Sequence, residues 1–151
     1  MRITTKGRYG LRAVIFLAMS NHNRPISISS IANEEKVSSE FLEQIFFKLK
    51  KAGVIRSMRG PGGGFVLDKK PSEITVQEIL AAVGETHGLT PCTLRRKTLC
   101  DRPEPCPAHE VWTGLQEVME SYLSGITLKD IMEKNKKNLS SKLEAGQDFS
   151  I

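Results

Sequence analysis

Residues 38–67 read SSEFLEQIFFKLKKAGVIRSMRGPGGGFVL, and this stretch decides the fold. Phe41, Leu42, Ile45, Phe46 and Leu49 recur at helical spacing, so the segment opens with an amphipathic helix. Ser38 stands where a hydroxyl can accept from the orphan N–H groups of the first turn. Lys50 and Lys51 fall in the last turn, where cations suit the helix dipole, and Gly53 stops the helix. Two short strand candidates follow, Val54–Met58 and Phe65–Leu67, separated by RGPGGG, a turn signal with three consecutive glycines.

Upstream, Ile28–Glu35 predicts a short helix with Ile28, Ile31 and Ala32 inward and Ser27 as its cap. Arg8–Ser20 carries Leu11, Val14, Ile15, Leu17 and Ala18 at helical spacing and predicts a first helix, ended by Arg24-Pro25. Two helices joined by a tight turn form a helix-turn-helix pattern, and the hairpin that follows is its wing. Downstream, Thr75 and Glu78 predict a capping box opening a helix with Ile79, Leu80 and Val83 inward. From His109 onward, Val111, Trp112, Leu115, Val118, Met119, Tyr122 and Leu123 form one broad apolar stripe. With the core already served, that stripe predicts pairing with a second copy; packing back on its own domain is the alternative. Thr127–Met132 reads as a short final helix, and the polar stretch beyond Lys134 as a disordered tail.

The expected fold is therefore mainly α with a small β-hairpin. It comprises a winged helix-turn-helix domain over residues 1–84 and a cysteine-containing loop over 85–108. A dimerisation helix and short final helix follow over 109–133, then a tail over 134–151.

With 151 residues, 39% hydrophobic and 26% charged, the composition is that of an ordinary soluble domain with a real core. No apolar run approaches the ~20 residues of a membrane span, and MRITTKGRYG lacks the apolar centre of a signal peptide. The expectation is a cytoplasmic protein with no membrane partner. The net charge of +5 is unevenly placed: residues 1–60 hold eleven Lys or Arg against four Asp or Glu, the remainder eleven against thirteen. The basic half is the candidate for a polyanion, because phosphate neutralisation releases counterions.

On the helix opened by Ser38 the outward positions are Ser39, Glu40, Glu43, Gln44 and Lys48. Gln44 suits bidentate pairing with adenine, and Glu43 suits acceptance from cytosine N4. Glu40 serves equally well as a solubilising charge. Arg59, beside Gly60 at the hairpin tip, suits a narrow minor groove. Arg2, Lys6, Arg8 and Tyr9 are phosphate-contact candidates. The sequence offers no nucleophile–base motif and no phosphate loop, since GPGGG lies in a hairpin rather than before a helix. An enzyme is not expected.

All three cysteines lie in CTLRRKTLCDRPEPCPAH, residues 92–109: Cys92, Cys100 and Cys106, with His109 three places after the last. An odd count and a reducing compartment argue against a disulfide staple. Structural zinc sites favour close cysteine pairs, whereas the gaps here are seven and five residues. Three soft thiolates and one imidazole can complete the four protein ligands of a 2Fe–2S cluster. On the residues alone, a cluster, zinc and thiol redox all stay open.

The segments MRITTKGRYGLRA, FLEQIFFKLKKAGVI and RGPGGGFVL, with SGITLKDI further on, resemble the Rrf2 family of bacterial winged-helix regulators, above all its iron–sulfur branch. The resemblance covers residues 1–133. It implies a homodimer with paired long helices on a pseudo-palindromic double-stranded DNA operator, with DNA contacts at Ser38, Glu43, Gln44, Arg59 and Gly60. It also implies a 2Fe–2S cluster ligated by Cys92, Cys100, Cys106 and His109. Three departures stand out. Glu40 occupies a position that is often serine, the first cysteine gap is two residues longer than usual, and LRRKTL replaces a glycine-rich filler. Arg8 stands in the region where a nitric-oxide-sensing branch has an aspartate ligand, which favours histidine ligation here. The function so implied is transcriptional regulation in response to Fe–S supply, redox state or nitric oxide. The alternative is a cluster-free winged-helix repressor answering to thiol redox, zinc, a metabolite or a protein partner.

Overall fold

The computed structural model describes residues 3–20, 24–85, 88–93 and 106–146. Helix α1 (Thr5–Met19) is followed by α2 (Ile28–Glu35), α3 (Ser39–Lys51), strands β1 (Ile55–Met58) and β2 (Gly64–Leu67), then α4 (Val76–Val83), α5 (His109–Ser124) and α6 (Leu128–Gly146). Helices α1 to α4 and the hairpin enclose the core, in which Ile31, Leu42, Ile45, Phe46, Leu49, Ile55 and Ile79 are at most 1% exposed.

Helix α1 begins three residues earlier than the apolar periodicity predicts. Thr4 Oγ1 accepts from the Gly7 N–H at 3.2 Å, while the Thr4 N–H donates to Glu85 Oε1 at 3.2 Å. The Thr4 hydroxyl also meets that carboxylate, which places an anion at the helix N-terminus, where the dipole favours it. Gly10 lets α1 lie close on the end of α4: a Cβ there would stand 2.9 Å from Val83 Cγ1.

The helix-turn-helix follows the serines. Ser27 Oγ accepts from the Ser30 N–H and Ser38 Oγ from the Phe41 N–H, at 3.2 and 3.1 Å. Between the two helices Lys36 takes the left-handed conformation, φ 54°, that closes α2.

The wing pairs β1 and β2 antiparallel, Ile55 facing Leu67 and Met58 facing Gly64. Its tip is a Gly60–Gly63 turn, closed by Gly63 N–H donating to Gly60 O at 2.9 Å. Pro61 and Gly62 occupy the central positions, and Gly62 at φ 74° supplies the positive φ that a type II turn demands. A third segment joins β2 from the other side: Ile26 and Phe65 exchange backbone hydrogen bonds of 3.1 and 2.8 Å. Gly64 is required there, since a Cβ would lie 2.3 Å from Ile26 O.

Helix α4 keeps only half of the expected capping box. Thr75 Oγ1 accepts from the Glu78 N–H at 3.1 Å, but the Glu78 carboxylate turns to the Lys69 ammonium. A carboxylate bond to the cap N–H is charged on one side only, whereas the ammonium brings a full opposite charge as well as the donor. The same contact raises the Lys69 pKa above its ordinary value, chiefly through the hydrogen bond that the ammonium donates to Glu78.

The largest correction concerns the C-terminal part. In place of a short final helix and a disordered tail from residue 134, α6 runs unbroken to Gly146. Thr127 and Asp130 cap it reciprocally, with Thr127 N–H on Asp130 Oδ2 at 2.8 Å and Asp130 N–H on Thr127 Oγ1 at 3.2 Å. Leu128, fully buried, anchors its first turn, and no Pro or Gly interrupts the sequence before Gly146. Beyond Met132 the lysines, Leu139, Leu143, Glu144 and Ala145 favour helix, while the sparse apolar positions give little signal of its length. The α5–α6 connection is stitched to the head by Val76 N–H donating to Ile126 O and Leu128 N–H to Ile74 O, at 2.9 and 3.0 Å. Among the described residues no helix is long and apolar enough to cross a membrane.

Candidate nucleic-acid interface and metal centre

Helix α3 buries Leu42, Ile45, Phe46 and Leu49, which turns Glu40, Glu43, Gln44, Phe47 and Lys51 outward on successive turns. Together with Lys48 and with Lys6 at the start of α1 these residues line an open groove of about 720 Å³. Ser38 is exposed and Ser39 half-buried at the N-terminal end of α3, where backbone N–H groups are free of helical partners. Arg59 and Gly60 are exposed at the wing tip. Arg8 is exposed on α1, and its guanidinium carbon lies 5.9 Å from the centroid of the half-buried Tyr9 ring. Tyr9 in turn meets Phe41 edge-on at 5.9 Å, tying the first turns of α1 to α3. Arg2 lies outside the described residues.

Lys48 behaves differently from its neighbours. Its ammonium donates to Val83 O at 3.2 Å, at the C-terminal end of α4. Arg12, itself exposed, forms an ion pair with the buried Glu35 at 2.6 Å that lacks hydrogen-bond alignment. Sequence reasoning singled out neither contact as a link between elements, because both join residues distant along the chain. Phe47, 71% exposed, was also missed. The signal was the Phe46–Phe47 doublet, since two adjacent helical residues cannot both face a core.

The cysteine segment leaves α4 through Gly84, which closes the helix at φ 93°, and Glu85, bound to Thr4. Cys92 is half-buried in a Thr90–Thr93 turn, with its sulfur 3.0 Å from Thr90 Oγ1. At the other end Cys106 and His109 share one turn: the His109 N–H donates to Cys106 O at 2.9 Å as α5 begins. The imidazole Nε2 lies 3.4 Å from Thr113 Oγ1. A thiol and an imidazole three residues apart in one turn at the start of α5 are soft and borderline donors suited to a shared metal. Cys100 lies outside the described residues. Among the described residues no group of three or more His, Cys, Asp or Glu side chains comes together to hold a metal ion.

Helix α5 leaves its apolar stripe uncovered. Val111, Trp112, Leu115, Val118 and Tyr122 are 39–67% exposed, and Met119 and Leu123 are half-buried.

A helix-turn-helix with a glycine-tipped wing and an exposed polar second helix defines a winged-helix DNA-reading fold. The chain belongs to the Rrf2 family, described as an iron-dependent transcriptional regulator, which matches residues 3–134. It is 38% identical over 135 residues to the HTH-type transcriptional regulator IscR of Aliivibrio salmonicida, covering 89% of this chain and 79% of that protein. A putative HTH-type transcriptional regulator of Neisseria meningitidis serogroup A is 37% identical over 134 residues, 89% of each chain. Among solved structures, T. potens IscR superposes with a TM-score of 0.76 at 30% identity, covering 91% of this chain and 90% of that one. CymR, the global cysteine regulator of B. subtilis, superposes at 0.75 and 31%, covering 89% and 98%. The chain is a helix-turn-helix transcriptional regulator of this family.

Proposed function

We propose that this regulator acts in the cytoplasm as a homodimer whose affinity for a pseudo-palindromic operator is set by a 2Fe–2S cluster on Cys92, Cys100, Cys106 and His109. One observation carries the proposal. The segment that begins at α4's end is tied to both DNA-facing helices, by Lys48 on α3 and by Thr4 at the head of α1. It ends at the Cys106–His109 turn that opens α5.

When bound, the cluster supplies a redox-active charged centre whose ligation closes the loop. The chain's own residues transmit the result. Closing the loop biases Val83–Glu85, and these residues hold α3 and α1. The resulting change in DNA affinity is bounded by the difference in cluster affinity between the two conformations.

On DNA, α3 enters the major groove with Ser38, Ser39, Glu43 and Gln44 toward base edges and backbone. Arg59 and Gly60 approach the minor groove, and Lys6 and Arg8 meet phosphates. The α5 stripes of two copies pair, which spaces the two reading heads.

Anaerobic purification with a visible spectrum and iron and sulfide analysis tests the cluster. Wild type shows visible bands that vanish in Cys92→Ala and Cys106→Ala. A colourless protein with stoichiometric zinc, or with no metal, contradicts the proposal.

A second reading has a specific support: CymR matches this fold as closely as IscR does. On this second reading the present chain is a cluster-free winged-helix repressor that answers to thiol redox, zinc, a metabolite or a protein partner. It expects a colourless chain whose DNA affinity changes with a thiol oxidant.

A further inference from the structure

Phe47 sits on the wrong side of its helix for a core residue. Its neighbour Phe46 is 1% exposed and packs edge-on against Phe65, ring centroids 4.9 Å apart, whereas Phe47 is 71% exposed. It projects from the middle of the face that carries Gln44 three residues before it and Lys51 four residues after it. A single exposed apolar side chain is ordinary by itself; what singles out Phe47 is its place in the groove that also holds Gln44 and Glu43.

Three occupants can be considered: a second copy, an unidentified protein, or DNA. The exposed apolar stripe suited to a second copy is on α5, a separate element. Phe47 instead continues the row Glu40, Glu43 and Gln44, in the groove bordered by the cations Lys6 and Lys51. That cationic border matches a polyanion. With a rise of ~1.5 Å per residue, Phe47 stands ~4.5 Å beyond Gln44 along the helix. The spacing is close to the ~3.4 Å between successive bases of one strand. Among base edges in the major groove, the thymine C5-methyl is the apolar group, and phenylalanine is a side chain that contacts it.

We propose that Phe47 is a specificity-determining residue that reads a thymine methyl in the major groove, beside the base met by Gln44. The inference rests on the DNA-reading role proposed for α3. It predicts an apolar element of recognition inside a site otherwise read by hydrogen bonds.

Selection of binding sites from random double-stranded DNA by full-length wild type and Phe47→Ala tests it. Thymines in the selected site are then replaced one at a time by deoxyuridine, which deletes the methyl alone. Wild type binds about fourfold more weakly when the relevant thymine is replaced, the effect of one methyl group. Phe47→Ala binds both versions equally, with the thermal midpoint and sedimentation of wild type. Equal thymine–deoxyuridine discrimination by both proteins overturns the inference, as does a wild-type site in which no replacement matters. A changed oligomeric state in Phe47→Ala also overturns it, because a second copy then covers the ring. Failure of wild type to enrich any sequence contradicts the DNA-reading role itself, and the inference falls with it.

Discussion

The Lys48 ammonium of α3 donates to the Val83 carbonyl at 3.2 Å, so the second helix of the helix-turn-helix caps the end of α4. Gly84 follows in the left-handed conformation, and a Cβ there would stand 3.3 Å from that same nitrogen. The cation satisfies a terminal carbonyl and meets the negative end of the α4 dipole. One residue later Glu85 holds the head of α1. The exit from the core toward the cysteines is thus pinned to both helices of the proposed interface.

Lys48→Met keeps the aliphatic stem and removes the donor. Unfolding in urea should show a loss of about 1 kcal/mol, the usual worth of one such bond. The more informative change is in coupling: the ratio of DNA affinities between cluster-loaded and cluster-free protein should shrink. A Lys48→Met protein with the wild-type ratio shows that the coupling runs elsewhere.

Gly64→Ala places a Cβ against the backbone of Ile26 and Ser27, which cannot yield without opening the Ile26–Phe65 bridge. The expected cost is about 1–3 kcal/mol, the range for overpacking a close contact. Chemical denaturation measures it, and a variant as stable as wild type means the wing is not braced by residue 26.

Val118 is 67% exposed on α5, so Val118→Glu leaves the core of one chain untouched. The variant should fold with the wild-type spectrum in circular dichroism yet sediment as a monomer, because a carboxylate is buried in the paired stripes. Loss of the second reading head should then weaken operator binding. A dimeric Val118→Glu protein places the interface elsewhere.

Asp130 lies below its ordinary carboxyl value of 3.8, first through the hydrogen bond from the Thr127 hydroxyl and then through the Thr127 N–H. Its folded value is the lower one, so its contribution is present above 3.8 and is lost as pH falls through that lowered value. Asp130→Asn should remove this slope from the urea midpoint as pH falls below the ordinary 3.8, while weakening the α6 cap at neutral pH. An unchanged slope in Asp130→Asn assigns the acid sensitivity to other carboxylates.

The parts legible in the sequence were those governed by neighbours along the chain. Ser27, Ser38 and Thr75 marked helix starts because a cap acts within three residues, and RGPGGG announced a turn through its own backbone demands. The start of α1 was obscured because its first turn, TKGRYG, holds no apolar periodicity; Gly7 and Gly10 face the end of α4 instead. Helix α6 was cut short because beyond Met132 its large apolar residues thin out to Leu139, 54% exposed, and Leu143, too sparse a stripe to read. At the candidate site, the outward face of α3 followed from spacing alone. The engagement of Lys48 with a carbonyl 35 residues away did not, since long-range hydrogen bonds leave no local pattern. Phe47 was visible in the doublet but was passed over because the reading of that face sought polar groups.

The most direct measurement is DNA affinity, determined anaerobically on one operator, for cluster-loaded and chelator-stripped wild type beside Cys106→Ala. A cluster that governs the reading heads gives wild type two affinities and Cys106→Ala only the stripped one. A single affinity for wild type, loaded or stripped, contradicts cluster control of DNA binding.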